Sequence, residues 1–252
     1  MSFTYKGISS DAMGLNITER SVYSAPAYDL NAVSVPGRSG DVLNPQNRFK
    51  NKKITYTGFI RSAGFTGSTD REKLSNALIA LKGWLCSDAG QYNDLTDDYD
   101  PGFTRKAYID GETGIEEIHN RAKGVTVNIT FSAEPFMRQS DALHHVFPTS
   151  GGTITNPYAF ASLPLLEVEL TGTDGVLTIT NSEGTASWTI SGYDSARRLF
   201  VDSETMDWYN TDALQNNLVS GSGFPTLAPG LNTISWTGDI FEVVVYPRWR
   251  TL

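Results

Sequence analysis

The amino-acid sequence predicts a mainly β protein of two domains, with one α-helix in the first domain. Three observations lead to this fold class. Apolar and polar residues alternate in several runs, one segment has the spacing of an amphipathic helix, and turn formers divide the second half at roughly ten-residue intervals. Of the 252 residues, 39% are hydrophobic and 11% aromatic, which is enough for a packed core and excludes a disordered chain.

The strands of the first half are predicted from a period of two, which is typical of half-buried strands. In residues 124–131 (GVTVNITF), valine, isoleucine and phenylalanine alternate with threonine and asparagine. Residues 52–61 (KKITYTGFIR) show the same alternation, and residues 27–35 (AYDLNAVSV) show a weaker one that Pro36 and Gly37 end. This half is therefore expected to be a β-sandwich-like domain.

The helix of the first domain is predicted over residues 70–87. Thr69 can cap its N-terminus, and Glu72 completes a T-x-x-E capping box. One buried face is formed by apolar residues at helical spacing, namely Leu74, Ala77, Leu78, Leu81, Trp84 and Leu85. Gly90 lies just beyond the helix and can adopt the left-handed backbone conformation that often ends a helix. Cys86, in the last turn, is expected to be a half-buried small residue and not a nucleophile.

The second half consists of short strand-like runs only. Seven runs qualify: 165–170, 175–180, 186–191, 197–202, 205–209, 231–236 and 240–246. Turns are expected between them at Thr173-Asp174-Gly175, Asn181-Ser182-Glu183-Gly184 and Gly192-Tyr193-Asp194. Short, regularly spaced antiparallel strands predict a β-sandwich.

The boundary between the domains is predicted near residue 148. Pro148-Thr149-Ser150-Gly151-Gly152 is a run of turn formers. Residues 1–148 hold 16 Lys+Arg and 17 Asp+Glu, whereas residues 149–252 hold 4 and 11, so the charge balance shifts at the same point. The two domains are accordingly expected at 1–148 and 149–252.

Composition also excludes several classes of protein. A net charge of −8 argues against a general nucleic-acid binder, because neutralising phosphates needs a cationic surface. One cysteine excludes a disulfide framework within the chain and a zinc site made of thiolates. No signal-peptide profile and no apolar window of membrane-spanning length is present, so synthesis in the cytoplasm without membrane insertion is expected.

Few residues suggest catalysis. Glu167 and Glu169 share one face of a predicted strand and could act as acid and base on a sugar. The same spacing describes the solvated face of any strand, and that interpretation is preferred. Glu116 and Glu117 lie in a polar stretch that predicts a loop. The usual sequence patterns of hydrolases, phosphate-binding loops and dinucleotide sites are absent, and no cofactor is expected.

The residues that could form a metal or nucleic-acid site can each also be explained by an ordinary structural role. The acidic run Asp94–Asp100 could bind calcium, but it lacks an EF-hand layout and favours an exposed loop. His144 and His145 are adjacent and would point apart on a strand, so no metal site is expected. The basic cluster Arg48–Lys53 could contact nucleic acid, protect an edge strand, or meet the acidic Asp94–Asp100 run of a neighbouring copy.

Several segments, taken in order, resemble the distal tail protein (Dit) family of long-tailed siphophages and prophages. In the first half these are Asp11-Ala12-Met13-Gly14-Leu15, Val35-Pro36-Gly37-Arg38-Ser39-Gly40, the capped helix and Ala133-Glu134-Pro135-Phe136. In the second half they are Asn156-Pro157, Leu163-Pro164-Leu165-Leu166-Glu167-Val168, Leu199-Phe200-Val201-Asp202, Leu227-Ala228-Pro229-Gly230-Leu231-Asn232 and Tyr246-Pro247-Arg248-Trp249-Arg250.

The resemblance implies a structural virion protein and no enzyme. It implies a ring-forming N-terminal domain, a galectin-like C-terminal sandwich, and a homohexameric baseplate hub at the tip of a non-contractile tail. The implied partners are further copies of the chain, the tail-tube protein and a tail-associated fibre or lysin protein, with DNA only passing through the channel. The implied location is the virion tail tip, of a phage or a prophage.

Interface residues follow from the resemblance together with charge. Subunit contacts are expected at or near four basic residues, Arg38, Arg48, Lys50 and Lys53, and two acidic ones, Asp97 and Asp98. Pro36 and Gly37 are expected to form a tight turn where an arm leaves the sheet. In the closing segment Pro247, Arg248, Trp249, the tryptophan is expected to pack and the arginine to bind a carboxylate or carbonyl.

Two other functions stay open at this point. One is a carbohydrate-binding adhesion module, because sandwiches often bind sugars on exposed aromatic side chains; the candidates are Trp188, Trp208, Tyr209, Trp236 and Trp249. The chain has no room for an inserted carbohydrate module, which argues against direct glycan binding. The other is a glycan hydrolase that uses Glu167 or Glu169.

Overall fold

The computed structural model describes the chain except residues 89, 111–114, 122, 140–142 and 195–196, and for residues 115–121 it describes the backbone alone. The fold is mainly β, as the sequence predicts. The chain forms two compact units, Met1–Met137 with Leu252, and Arg138–Thr251. None of the described helices is long and apolar enough to cross a bilayer.

The first unit contains ten strands, one α-helix and one short 3-10 helix among its described residues. The strands are β1 (Phe3–Tyr5), β2 (Ile8–Ser9), β3 (Leu15–Ser21), β4 (Tyr28–Val33), β5 (Val42–Phe49), β6 (Lys52–Arg61), β7 (Asn93–Asp97), β8 (Phe103–Ile109), β9 (Ile115–Arg121) and β10 (Gly124–Ala133). The helices are the 3-10 turn Ser62–Gly64 and α1 (Asp70–Cys86). The stretch around Glu116 and Glu117 is thus strand β9, where a loop was predicted; their side chains lie outside the described residues.

The main sheet of the first unit is antiparallel, in the order β2-β1-β7-β8-β10-β6-β3. Strand β9 pairs with the first part of β10. Strands β4 and β5 form a separate two-stranded sheet. The alternation in β6 and β10 places their apolar side chains in one core with an aromatic centre, in which the rings of Phe3 and Tyr56 lie 4.4 Å apart.

Helix α1 closes this core as the sequence predicts. The Thr69 side chain accepts a hydrogen bond from the Glu72 amide, and the Glu72 carboxylate accepts one from the Ser68 amide. Its buried residues are Leu74, Ala77, Leu81, Trp84 and Leu85, while Leu78 is half-buried. Trp84 Nε1 donates to the carbonyl of Tyr5 at 3.1 Å, which ties the helix to β1. Cys86 is exposed and not half-buried, because the stripe turns away from it.

The second unit contains ten described strands and a 3-10 turn, Asn216–Leu218. The strands are β11 (Met137–Gln139), which begins at the last residue of the first unit, β12 (His145–Phe147), β13 (Gly152–Asn156), β14 (Leu165–Asn181), β15 (Gly184–Ile190), β16 (Leu199–Asp202), β17 (Asp207–Tyr209), β18 (Val219–Gly221), β19 (Gly230–Tyr246) and β20 (Arg250–Thr251).

Two 17-residue strands, β14 and β19, form the frame of this unit. The first half of β14 pairs with β16 and its second half with β15, while β12 and β13 pair with opposite ends of β19. The apolar side chains of both ends meet in one core. Each long strand runs through both halves of the sheet. The two halves therefore cover the same core from opposite sides, as in a β-sandwich.

The turn predicted at Thr173-Asp174-Gly175 does not reverse the chain. It is an irregularity within β14, where the register shifts between Leu170 and Gly175 opposite β19. The predicted strands 165–170 and 175–180 are therefore one strand, and so are 231–236 and 240–246. The turn at Asn181–Gly184 is confirmed as the β14–β15 hairpin.

The division between the units lies earlier in the chain than residue 148. Strand β12 pairs with β19, and the Gln139 amide donates to the carbonyl of Trp249 at 2.7 Å. The described residues between Arg138 and Pro148 therefore contribute hydrogen bonds to the second unit.

Candidate assembly surface

The β4–β5 hairpin presents an exposed apolar surface in the first unit. Leu30 is 41% exposed, Leu43 63% and Val33 53%. Leu30 pairs with Pro45 and Ala32 with Leu43, so these four side chains share one face and all four are exposed. An isolated two-stranded ribbon with an uncovered apolar face is marginally stable in water. The hairpin therefore has the properties of an arm that another surface covers.

The tip of the hairpin begins with a tight turn. Pro36 and Gly37 occupy its centre, the Arg38 amide donates to the Val35 carbonyl at 3.1 Å, and Gly37 has φ 81°. This combination is typical of a type II turn, in which glycine adopts the positive φ without strain. The tight turn that Pro36 and Gly37 predict is present, and Arg38 is exposed beside it.

The base of the hairpin is held by aromatic side chains. The Phe49 ring contacts Tyr28 at 5.1 Å and Phe136 at 5.8 Å between centroids, both edge to face. Lys50 donates its amide to the Ala27 carbonyl at 2.8 Å. The arm is thus fixed to the unit at one end and uncovered along its length.

Three of the predicted interface cations have partners within the chain. Arg48 and Lys50 both pair with Asp29, at 2.8 and 3.1 Å, and together they hold the pKa of that carboxyl below its ordinary value. Lys53 pairs with Asp110 at 2.8 Å. These cations are exposed at the surface, but they already bind carboxylates of their own chain.

The acidic run is not an exposed loop. Its first part is strand β7, and Leu95 is buried. Asp97 accepts hydrogen bonds from the Tyr56 hydroxyl and the Tyr99 amide, both at 2.8 Å, and Arg20 binds both Asp97 and Asp98. Burial raises the pKa of the Asp97 carboxyl above its ordinary value. Asp97 is therefore a structural carboxylate, which limits its use at an interface.

The carboxylates considered for glycan hydrolysis form an ion-pair cluster. Arg198 binds Glu167 and lies 3.2 Å from Glu169. Glu167 is buried, which corrects the expectation of a solvated strand face, because the sheet places the long Arg198 side chain over it. One guanidinium shared by two carboxylates neutralises part of their charge and stabilises the sheet face.

The tryptophans proposed as a sugar platform are core residues. Trp188, Trp208, Trp236 and Trp249 are each at least nine-tenths buried. Tyr209 is half-buried and stacks on Phe200, with ring centroids 5.3 Å apart. A stacking platform made of these tryptophans is therefore excluded.

The histidines and the acidic run bring no metal ligands together in the described part of the chain, where no group of three suitable side chains occurs. His144 instead lies beside the Tyr246 ring, with centroids 5.5 Å apart.

The closing segment is ordered by a buried ion pair. Arg248 Nη1 lies 2.9 Å from an Asp202 carboxylate oxygen, which also accepts hydrogen bonds from the amides of Glu204 and Thr205. Trp249 is 6% exposed and belongs to the core of the second unit. The predicted packing of Trp249 and pairing of Arg248 are both confirmed.

No protein-family model and no curated protein match the sequence. Among solved structures, the fold is similar to that of SPP1 Dit (gp 19.1), a paradigm of the hub adsorption apparatus in phages that infect Gram-positive bacteria. The TM-score is 0.78, the match covers 100% of this chain and 99% of that chain, and the sequences are 13% identical. The resemblance to distal tail proteins that the sequence motifs indicate is therefore confirmed at the level of fold.

Proposed function

We propose that this chain is a distal tail protein of a siphophage or prophage, which assembles as a homohexameric hub at the tip of a non-contractile tail. The observation that carries the proposal is the likeness in fold to SPP1 Dit over the full length of both chains. The hub would join the tail-tube protein to a fibre or lysin protein, and its role would be structural, without catalysis. The second unit would be the galectin-like outer domain.

The β4–β5 arm supports the assembly part of the proposal. A closed ring repeats one heterologous contact, so each copy must present two unlike surfaces that fit one another. The apolar face of Leu30, Ala32, Leu43 and Pro45 supplies one of them. We therefore place the main subunit contact on this face, with Arg38, Arg48, Lys50 and Lys53 at its polar margin.

Net charge is compatible with a channel for DNA. A strongly cationic pore would retain the phosphates of the passing duplex. The chain carries 20 Lys+Arg against 28 Asp+Glu, and several of the cations of the first unit already bind carboxylates of their own chain. A ring of such chains would let DNA slide.

Light scattering after size exclusion, across a concentration series, tests the ring. Six copies of a 27.6 kDa chain weigh six times that mass, about 166 kDa. We expect this species at high protein concentration or with the tail partners present. A chain that stays monomeric when mixed with both the tail-tube and the tail-tip protein would contradict the hub.

Two substitutions on adjacent residues of β5 locate the contact. Leu43→Glu places a charge on the apolar face and is expected to abolish the ring, whereas Asn44→Glu places it on the opposite face and should leave the ring intact. Added salt should weaken the wild-type ring only slightly, since buried apolar area holds it. Equal behaviour of the two variants would exclude this face as the contact.

A further inference from the structure

Among the described residues, four that are not glycine have a positive φ, and three of these have a local explanation. Asn47 is a residue type that tolerates the left-handed conformation. The Lys6 ammonium lies 3.0 Å from a carboxylate oxygen of Asp88, and Arg248 lies 2.9 Å from one of Asp202. At these three positions the residue type or an ion pair offsets the backbone strain.

Met206 is the fourth residue, and its strain has no such explanation. Its φ is 59°, and it is the last residue of the turn between β16 and β17, where glycine or asparagine is usual. The Met206 side chain is 62% exposed, so burial within the chain gives back little of the cost. An apolar side chain that is both strained and exposed indicates a contact outside the chain.

A second exposed apolar residue follows Met206 in the same part of the second unit. Leu214 is also 62% exposed, and a β-bridge pairs it with Tyr209, which lies three residues after Met206. Tyr209 is half-buried and stacks on the half-buried Phe200 of the neighbouring strand. These four apolar residues, Phe200, Met206, Tyr209 and Leu214, are called the β17 surface below.

The β17 surface is held in place by the chain itself. Trp208 is buried in the middle of β17; its carbonyl accepts from the Gln215 amide and its amide donates to Asn216 Oδ1, both at 2.6 Å. The Asn210 amide donates to the Ala213 carbonyl at 3.0 Å. The segment 213–216 thus runs along β17 and takes up its backbone hydrogen bonds. A partner would therefore contact side chains here and would not add a strand.

The surroundings of the β17 surface are acidic. Residues 202–214 contain four carboxylates and no Lys or Arg, and residues 149–252 carry 4 Arg, no Lys and 11 Asp+Glu. Asp207, next to Met206, accepts a hydrogen bond from the neutral amide of Asn216 at 3.1 Å. The other three carboxylates, Asp202, Glu204 and Asp212, bind arginines from outside this segment. The negative field of the unit attracts a cationic partner.

We infer that the β17 surface docks the tail-tip fibre or lysin protein, which meets it with an apolar socket that has lysine or arginine at its rim. The inference rests on the proposed function, which supplies the partner, and it adds where the partner binds. The flexible thioether of Met206 can adapt to a socket, and Leu214 is a fixed anchor beside it. A second copy of the acidic unit is disfavoured at this surface, because like charges repel.

Calorimetry of the full chain with the purified fibre or lysin protein of the same phage tests the docking. Leu214→Asp places a charge on the β17 surface and is expected to weaken binding at least about tenfold. Leu231→Asp is the matched control, because Leu231 is 59% exposed in the same unit but lies on β19, which does not pair with β17. The control should bind within about twofold of the wild type. Added salt should weaken wild-type binding, and salt-independent binding would overturn the cationic rim and with it the inference.

Two variants at Met206 distinguish the side chain from the backbone strain. Met206→Ala removes the side chain and keeps a Cβ at positive φ, whereas Met206→Gly removes both. Each is expected to weaken binding about fivefold. Thermal unfolding of the chain alone should give a higher melting temperature for Met206→Gly than for Met206→Ala. Equal melting temperatures, or wild-type binding by both variants, would overturn the inference.

Failure of this inference differs from failure of the proposed function. If the wild-type ring forms and binds the fibre or lysin protein, but Leu214→Asp and Leu231→Asp bind it equally well, the partner docks elsewhere and this inference alone is overturned. Light scattering checks that Leu214→Asp still forms the ring. Loss of the ring in that variant would assign the β17 surface to a second copy and also overturn the inference. A wild-type chain that neither forms a ring nor binds a tail protein contradicts the proposed function itself.

Discussion

Arg248 adopts a backbone conformation that a residue with a Cβ rarely adopts. Its φ is 47°, in the left-handed region. The side chain is held by Asp202 at 2.9 Å and lies 3.7 Å from Glu204, and both Arg248 and Asp202 are largely buried. The ion pair thus offsets the backbone strain, and Arg248 directs Trp249 into the core.

The strain and the ion pair together predict that glycine at position 248 gives a more stable protein than alanine does. Arg248→Ala should destabilise the second unit by about 3 kcal/mol, because Asp202 loses its cation while the strain persists. Arg248→Gly should cost about 1 kcal/mol less, because glycine adopts the left-handed region freely. Urea unfolding followed by tryptophan fluorescence measures both. Arg250 is the control, because it is a strand residue whose φ is not positive, and alanine should destabilise the unit less than glycine there. If alanine and glycine had the same order of stability at positions 248 and 250, backbone strain at Arg248 would be contradicted.

Lys52 is a buried lysine of the first unit. Its Nζ donates to the carbonyls of Val22 at 2.7 Å and Ser24 at 3.0 Å. Burial, aided by the charge of Arg105, lowers the pKa of Lys52 from 10.5 to about 8. Between pH 8 and pH 10.5 the unfolded chain therefore binds more protons at this residue than the folded chain does.

The stability of the first unit should depend on pH through Lys52. The free energy of unfolding, relative to that of Lys52→Met, should rise from pH 8 to pH 10 by at most about 1.4 kcal/mol per pH unit, and should be flat below pH 7. Denaturation followed by the helix signal at 222 nm measures it, since α1 lies in this unit. Parallel curves for the two proteins over the whole range would show that the lysine is not perturbed.

At the scale of elements, the register between β14 and β19 shifts beside the pair of Gly175 and Gly238. Gly238 has φ 80°, and a Cβ there would lie 2.7 Å from the Asp174 carbonyl oxygen. Gly230, on the same strand, has φ 82°, but a Cβ there would meet nothing within 4 Å.

Alanine substitutions at Gly230 and Gly238 distinguish the cost of a positive φ from the cost of a steric clash. Gly230→Ala should cost about 1 kcal/mol from positive φ alone, and Gly238→Ala about 3 kcal/mol, because it adds a clash with backbone that cannot move aside. Thermal unfolding of both variants provides the comparison. If both variants lost the same stability, β14 would have to move to make room for the added methyl group.

The elements that the sequence predicts well are those with local signals. Helix α1 has its cap and its apolar stripe within one segment, and β6 and β10 have an unbroken alternation. The bulge at residues 171–174 was predicted as a hairpin turn because both use Thr, Asp and Gly. Strand β7 was not predicted because its last residue, Asp97, is stabilised by Arg20 and Tyr56, which are distant in sequence.

The candidate assembly surface was predicted only in part. The sequence predicts a tight turn at Pro36 and Gly37 where an arm leaves the sheet. The turn is present, but it lies at the tip of the arm and not at its base. Its apolar face depends on the register that pairs Ala32 with Leu43, and strand β5, with Pro45 and three asparagine or glutamine residues, has no strand pattern of its own. Arg48 and Lys50 are predicted as interface residues from their charge, but Asp29 of the same chain binds both.

At the scale of the whole molecule, the division at residue 138 predicts how the chain can be cut. A fragment of residues 138–252 should melt cooperatively and at a higher temperature than a fragment of residues 149–252. The shorter fragment lacks β12, so Val243, Val244 and Val245 lose one of their two strand partners and pair with β14 alone. Calorimetry on the two fragments measures the difference. Identical melting temperatures would mean that residues 138–148 add nothing to the second unit.

The single cysteine gives the molecule a built-in label position. Cys86 is exposed at the last residue of α1, and the 252-residue chain contains no other thiol. A maleimide dye would therefore attach once per chain, at a defined point on the first unit. Under single-molecule illumination, a fully labelled particle of the proposed hub should lose its fluorescence in six photobleaching steps. The number of steps counts the copies directly in intact particles, in the presence of any tail partner.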